Sequence, residues 1–199
     1  MQDNFHKKAG TWDEGAMRVN GAQKIADAIN AKVELTNKME IMDFGVGTGL
    51  LGFEIAKATK KVYGVDTSLS MLEKLKEKNS EETSIETYCQ DIIKDPIDRT
   101  FDGLVSSMTL HHVEDLKAFF QTIYKNINDN GFIAIADLET EDGTFHSDNT
   151  GVFHFGFDED HLCKIVKDAG FVQVEFENIN TINNQTKDFG VFLLTANKQ

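Results

Sequence analysis

The sequence predicts an α/β fold: a doubly wound, mainly parallel seven-stranded sheet with helices on both faces and an antiparallel last strand. Three observations carry that expectation. Short apolar runs alternate with segments of helical spacing along most of the chain. A glycine-rich turn, Gly45 to Gly52, stands between the first apolar run and a helical pattern. The last two apolar runs have no helix between them, so they are expected to pair antiparallel. Strand–helix alternation implies right-handed crossovers and a sheet covered on both sides.

The elements follow in order. Ala22, Ile25, Ala26 and Ile29 recur at three- and four-residue steps, which predicts a helix from about Glu14. Met39 to Phe44 reads as the first strand, and Leu51, Ile55 and Ala58 give the helix after the glycine turn one apolar face. Lys61 to Asp66 is the second strand. Ser68 is placed to cap a helix carrying Met71, Leu72 and Leu75. Ile85 to Tyr88 and Phe101 to Ser106 are strands three and four, and Leu116, Phe119, Phe120 and Ile123 mark the helix between Glu114 and Ile127. Asn128 to Gly131 reads as a turn before a fifth strand, Phe132 to Leu138. Residues 139–157 are irregular. A helix from Asp158 to Ala169 ends at Gly170, a C-cap glycine. Phe171 to Phe176 and Phe189 to Ala196 are the last strands, joined by a polar, Asn-rich connection. With no repeat or linker, the 199 residues are expected to form a single domain.

Composition narrows the function. A net charge of −13 argues against non-specific binding to nucleic acid or an anionic membrane. No apolar run approaches bilayer-spanning length, and residues 1–10 lack a signal peptide's apolar segment. Cys89 and Cys163 are too far apart in sequence for a metal-ligand motif and read as ordinary thiols. The expectation is a cytoplasmic protein acting on a small molecule, with no membrane insertion and its oligomeric state open.

In open α/β sheets, ligands bind beyond the carboxyl ends of the strands at the topological switch point. Asp43, Asp66 and Asp91 lie at or just past the ends of strands one, two and three, beside the glycine turn. Asp66 is placed to accept both hydroxyl hydrogens of a ribose, and Asp91 to accept from an exocyclic amine of adenine. Asp43 suits an ammonium group or a bridging water. Gly47 to Gly52 also fits G-x-G-x-x-G, with Asp66 near the distance of a dinucleotide's ribose acid, so an NAD(P)-linked oxidoreductase is the first rival. Three features oppose it: the earlier Gly45, a carboxylate at Asp43 where a pyrophosphate would be repelled, and too little chain for a separate substrate domain.

With these residues in view, the chain resembles the class I methyltransferases that use S-adenosylmethionine (SAM). The first motif of that family is similar to Asp43 to Gly49, and its two acids to Asp66 and Asp91. Phe101 to Ser107 followed by Leu110-His111-His112-Val113 resembles its fourth strand, Asn130-Gly131-Phe132 the turn before strand five, and Asp168 to Phe171 the approach to strand six. The resemblance covers about residues 14–196, and the small-molecule branch near the quinone-pathway C-methyltransferases is the most similar. It implies a Rossmann-like methyltransferase fold, SAM as cofactor, an N-terminal helical cap over residues 1–38 and a substrate lid over 139–157. It also implies that Asp43, Gly45, Gly47, Thr48, Asp66, Asp91 and Ile92 hold the cofactor. Thr67, Ser68 and Met71 would flank the adenosine, Ser107 and Met108 would pass near the methionine part, and Trp12 and Arg18 would close over it.

For catalysis, His112 and His154 form the expected pair, since a histidine near neutral pKa removes a proton from an acceptor. His111 and His146 are further candidates, whereas His161 reads as a surface residue. Asp137, His146 and His154 offer ligand types for a metal, but no close paired spacing supports one and none is assigned. A non-catalytic SAM-binding regulator is the remaining alternative.

Overall fold

The computed structural model describes residue 3, residues 5–184 and residues 187–199. Of the expected N-terminal cap, residues 1, 2 and 4 lie outside the described residues. A short 3-10 helix, Ala9–Glu14, precedes α1, Ala16–Lys32, whose Ala22, Ile25, Ala26 and Ile29 are all buried. Then come β1 (Glu40–Phe44), α2 (Leu50–Ala56), β2 (Lys61–Asp66), α3 (Leu69–Lys78), β3 (Ile85–Cys89) and β4 (Phe101–Ser107). A 3-10 turn, Leu110–His112, leads to α4 (Leu116–Asn126), β5 (Ile127–Leu138), α5 (Glu159–Asp168), β6 (Val172–Asn183) and β7 (Asp188–Asn197).

The seven strands lie in the order β3-β2-β1-β4-β5-β7-β6. Neighbours from β3 to β5 run parallel, and β7 runs antiparallel to both β5 and β6. This is the expected doubly wound sheet with a reversed last strand. Two apolar layers cover it. α1, α2 and α3 bury Ile29, Ile55 and Leu72 on one face, and α4 and α5 bury Phe119, Phe120 and Val166 on the other. Winding reverses between β1 and β4, so the crevice at their carboxyl ends is where such a sheet receives a ligand.

Two boundaries differ from expectation. Asn128 to Gly131 is not a turn between elements but part of β5, where the register shifts from Phe101↔Ile127 to Gly103↔Phe132. Asn130 takes φ 62° there, a left-handed conformation that asparagine tolerates better than most residues. The Asn-rich stretch after Phe176 is also mostly strand: β6 continues to Asn183 and pairs with β7. As an edge strand it alternates half-buried with exposed positions, so it lacks the apolar run that marks an inner strand.

Candidate active site

The glycine turn is built to let a ligand approach the backbone. Gly45 and Gly47 have φ of 69° and 54°, a left-handed region that a Cβ disfavours. A Cβ on Gly45 would collide with the Thr109 side chain, whereas around Gly47 only the Gly45 carbonyl oxygen comes within 4 Å. One side of the turn is therefore closed by Thr109, just past β4, and the other is open. The amides of Gly45 and Val46 bond to the Val65 carbonyl, which pins the turn to β2. Thr109 has no motif to mark it in the sequence.

The three acids differ in state. Asp43 is 1% exposed and its Oδ2 has no partner; burial, and then the neighbouring Asp66 charge, push its carboxyl well above the usual range. A Cβ on Gly52 would lie 2.8 Å from that oxygen, so glycine there avoids a clash, and the Gly52 amide acts against the upward shift. Asp66 accepts from the Gly47 amide at 2.8 Å and the Ser68 amide at 2.8 Å, and burial raises its carboxyl too. Asp91 behaves differently. Burial pushes it up, but Lys94 Nζ at 2.8 Å and the Ile93 and Lys94 amides outweigh that and hold it below the usual range. The carboxylate expected to face adenine is thus occupied by a lysine whose own side chain is 78% exposed. Ile92 is buried in the core.

Residues flanking the cradle take several postures. Ser68 caps α3 by accepting from the Met71 amide, Met71 is buried, and Thr67 is exposed. Ser107 ends β4, and Met108 follows at φ 54° with its amide on the Ala136 carbonyl. Thr48 Oγ1 donates to Asp13 Oδ1 at 2.5 Å, and Asp13 pairs with Lys78. Asp3 accepts from Ser68 Oγ at 2.7 Å and from Ser70 Oγ and amide. Burial raises Asp3, but these bonds more than offset it and bring its carboxyl to about 2. Trp12 packs edge-on against Phe5, and Arg18 lies over the Trp12 ring with Nε donating to the Trp12 carbonyl. Arg18 is accordingly engaged with its own N-terminal segment. Asp3, Asp13 and Phe5 meet these partners across the fold, from a segment that holds no periodic pattern.

The histidines assemble differently from the expected pair. His111, His112 and His146 cluster, with ring centres 4.2 Å (111–112), 4.8 Å (111–146) and 6.2 Å (112–146) apart. Phe5 packs on His112 and Phe145 on His146. His112 Nδ1 donates to the Gly151 carbonyl at 2.7 Å; burial, and then His111, depress its pKa to about 4. His154 does not join them. The Phe153 and His154 amides bond to the His111 carbonyl, while the His154 side chain bonds the Val113 carbonyl at 2.9 Å and packs on Phe157. It shares an open groove with His161, Glu114 and Lys117 instead. The His112–His154 pair is therefore replaced by a His111–His112–His146 cluster. Nor do Asp137, His146 and His154 converge; among the described residues no group of three or more metal-ligating side chains is positioned to hold an ion.

Residues 41–131 match the family model described as a methyltransferase domain. Over that stretch the chain is similar to methyltransferase domains. An uncharacterized methyltransferase of Schizosaccharomyces pombe is 28% identical over 155 residues, covering 69% of this chain and 55% of that protein. The chain spans about half the length of the curated relatives it matches first. Among solved structures, a putative methyltransferase of Haloferax volcanii, in complex with the Trm112 activator, superposes with a TM-score of 0.77 at 17% identity, covering 99% of this chain and 98% of that one. Phosphoethanolamine N-methyltransferase 2 of Haemonchus contortus, in complex with S-adenosyl-L-methionine, gives 0.70 at 18% identity, covering 88% and 52%. The matched stretch includes Asp43, Asp66, Asp91, His111 and His112. Asp137, His146 and the N-terminal segment lie outside it.

Proposed function

We propose that the protein is a SAM-dependent methyltransferase acting on a small-molecule acceptor. The observation that carries this reading is the carboxyl pair at the glycine turn, the buried Asp43 beside the half-buried Asp66. Asp43, unpartnered at Oδ2, lies close enough to Asp66 for that charge to raise the cost of ionising it. Such a pair favours a cationic ligand and disfavours a pyrophosphate. The family match and the fold support the same cofactor.

The residues present suit SAM. The open side of Gly47 admits it, and Gly45, Gly47 and Thr48 would line it, with Asp66 on the ribose. Asp91 and Ile92 would lie on the adenine side, with Thr67, Ser68 and Met71 flanking and Ser107 and Met108 on the methionine side. The bound cofactor would supply an activated methyl group, so the protein's part is alignment and exclusion of water, worth up to about 7–11 kcal/mol in well-oriented systems. We read residues 1–199 as one domain in which the N-terminal cap, 1–38, and the lid, 139–157, close over the rim from opposite sides. Trp12 and Phe5 would supply the apolar cover, and Arg18, released from Trp12, a contact to the cofactor carboxylate. Among the described residues no helix is long and apolar enough to cross a membrane, and a cytoplasmic site of action is part of the proposal.

Thermal denaturation with added SAM, S-adenosylhomocysteine or NAD(P) tests the cofactor. Saturation at one hundred times the dissociation constant should stabilise by about 2.7 kcal/mol. SAM and S-adenosylhomocysteine are expected to raise Tm and NAD(P) to leave it unchanged; the reverse would restore the oxidoreductase. Binding without methyl release across extract fractions would instead favour a non-catalytic regulator.

A further inference from the structure

The segment between β5 and α5 is anchored at its ends and only clasped in the middle. At its base the Phe157 amide donates to the Leu138 carbonyl, and the Thr140 and Glu141 amides donate to the Phe157 and Phe155 carbonyls. Phe145 packs on Phe189 of β7, and Phe157 is buried. Between those anchors the chain buries little: residues 147–150 are exposed, and so is Phe153, at 51%. What holds residues 146–154 down is the 3-10 turn after β4. The Phe153 and His154 amides donate to the His111 carbonyl at 2.9 and 3.3 Å, and His112 Nδ1 donates to the Gly151 carbonyl at 2.7 Å. The His154 ring bonds the Val113 carbonyl, and the His146 ring packs on His111. In that position His146 Nε2 is buried without a partner, a cost of closure that opening relieves.

We infer that residues 146–154 are an acid-released lid clasped by the His111–His112–His146 cluster, and that the N-terminal segment, which also packs on His112, stays fastened when the lid lets go. The inference goes beyond the methyl-transfer reading and holds whatever the lid covers. Ring centres 4.2, 4.8 and 6.2 Å apart leave no room for every imidazole to be charged while packed together. Asp137 on β5, fully buried against His111, offsets one positive charge. A second has no such partner. Glu141 favours it, but its Oε2 already accepts from the Gly143, Thr144 and Phe145 amides, and Lys8 of the N-terminal segment opposes it at His146.

Burial, and then His111, therefore hold His112 at about 4 and His146 below its ordinary value, against the pull of Asp137 on both and of the Gly151 carbonyl on His112. Once the lid lifts, both rings meet water and regain an ordinary value of about 6.5. The open form thus binds protons more tightly. Closure is fully favoured above about 6.5 and weakens as pH falls toward the closed-state values. The N-terminal segment differs. Phe5 packs edge-on against His112, but the fastening is Asp3 on Ser68 and Ser70. Burial opposes the Asp3 charge, yet those bonds hold its carboxyl at about 2, so it stays ionised while the lid loosens.

Amide hydrogen exchange of the full chain near pH 7 and near pH 5, corrected for intrinsic rates, tests this. The opening equilibrium at Phe153 and His154 is expected to grow by about tenfold or more as pH falls, from the His112 difference alone. Ile135, paired with β4 on one side and β7 on the other, should show no such growth. Trp12, the chain's single tryptophan and edge-on to Phe5, should keep its emission over the same range. Combining His112→Gln with His146→Phe should bring the ratio of opening between the two pH values to about one. Because the readout is a ratio, a variant that merely loosens the lid does not imitate this result. Equal opening at both pH values, equal growth at Ile135, a Trp12 shift that accompanies the lid, or an undiminished ratio in the double variant would overturn the inference.

Discussion

Asp66→Ala is expected to weaken SAM binding by roughly 30- to 100-fold, the effect of losing charge-assisted hydrogen bonds worth about 2–3 kcal/mol. Asp66 ends β2, where its carboxylate also holds the amides of Gly47 and Ser68. Gly47 lies at a half-buried rim, where water can replace the carboxylate, and the buried Ser68 keeps its cap on the Met71 amide, so the fold should survive. Circular dichroism should be unchanged while a calorimetric titration shows the loss. Asp66→Asn is expected to fall between, because an amide nitrogen turned toward Gly47 N–H opposes it. Unchanged affinity in the alanine variant would remove Asp66 from the cofactor site.

The second large effect is acid sensitivity centred on His112. Its folded pKa is about 4 against an ordinary 6.5, so between those values the unfolded chain binds a proton that the folded chain refuses. Stability contributed this way is full above 6.5 and lost as pH falls toward 4, a change of about 3 kcal/mol. Asp43 and Asp66 act in the opposite sense, because raised carboxyls take up protons in the folded state first and favour it as pH falls. The difference between wild type and His112→Gln isolates the histidine. Urea unfolding at pH 7 and pH 4 should show the wild type losing about 3 kcal/mol more than the variant. Equal losses would mean that His112 is not held neutral by its surroundings.

Much of the architecture was legible because it rests on period and punctuation. The spacing of Ala22, Ile25, Ala26 and Ile29 marks α1, and all four are buried. Gly170, placed as a helix end, takes φ 110° just after the Ala169 C-cap of α5. β6 was cut short because an edge strand is stabilised by pairing with β7 rather than by an apolar run, so Asn178 to Asn183 look like a loop. Asn128 to Gly131 carry turn residues that the fold uses for a register shift inside β5.

In the candidate site, the acids at successive strand ends could be read from topology alone, since Asp43 lies next to the last residue of β1, Asp66 ends β2 and Asp91 stands two residues past β3. Lys94 on Asp91 is a local contact that topology does not predict. Asp3 on Ser68 and Asp13 on Thr48 join residues 65 and 35 positions apart, and no periodicity encodes such meetings. The choice among histidines was equally hidden. His111 and His154 have the same chemistry in sequence, and what separates them is the carboxylate of Asp137 on one ring and the Val113 carbonyl on the other.

The central claim is that a cationic cofactor sits against the Asp43–Asp66 pair. Titration of SAM into the protein near neutral pH, in two buffers of different ionisation enthalpy, tests it most directly. Because burial, and then the Asp66 charge, hold the Asp43 carboxyl well above the usual range, a bound cation should lower it again, and binding should release protons to the buffer. The account predicts saturable binding with net proton release that Asp43→Asn diminishes. No binding, or binding with net proton uptake, would contradict it.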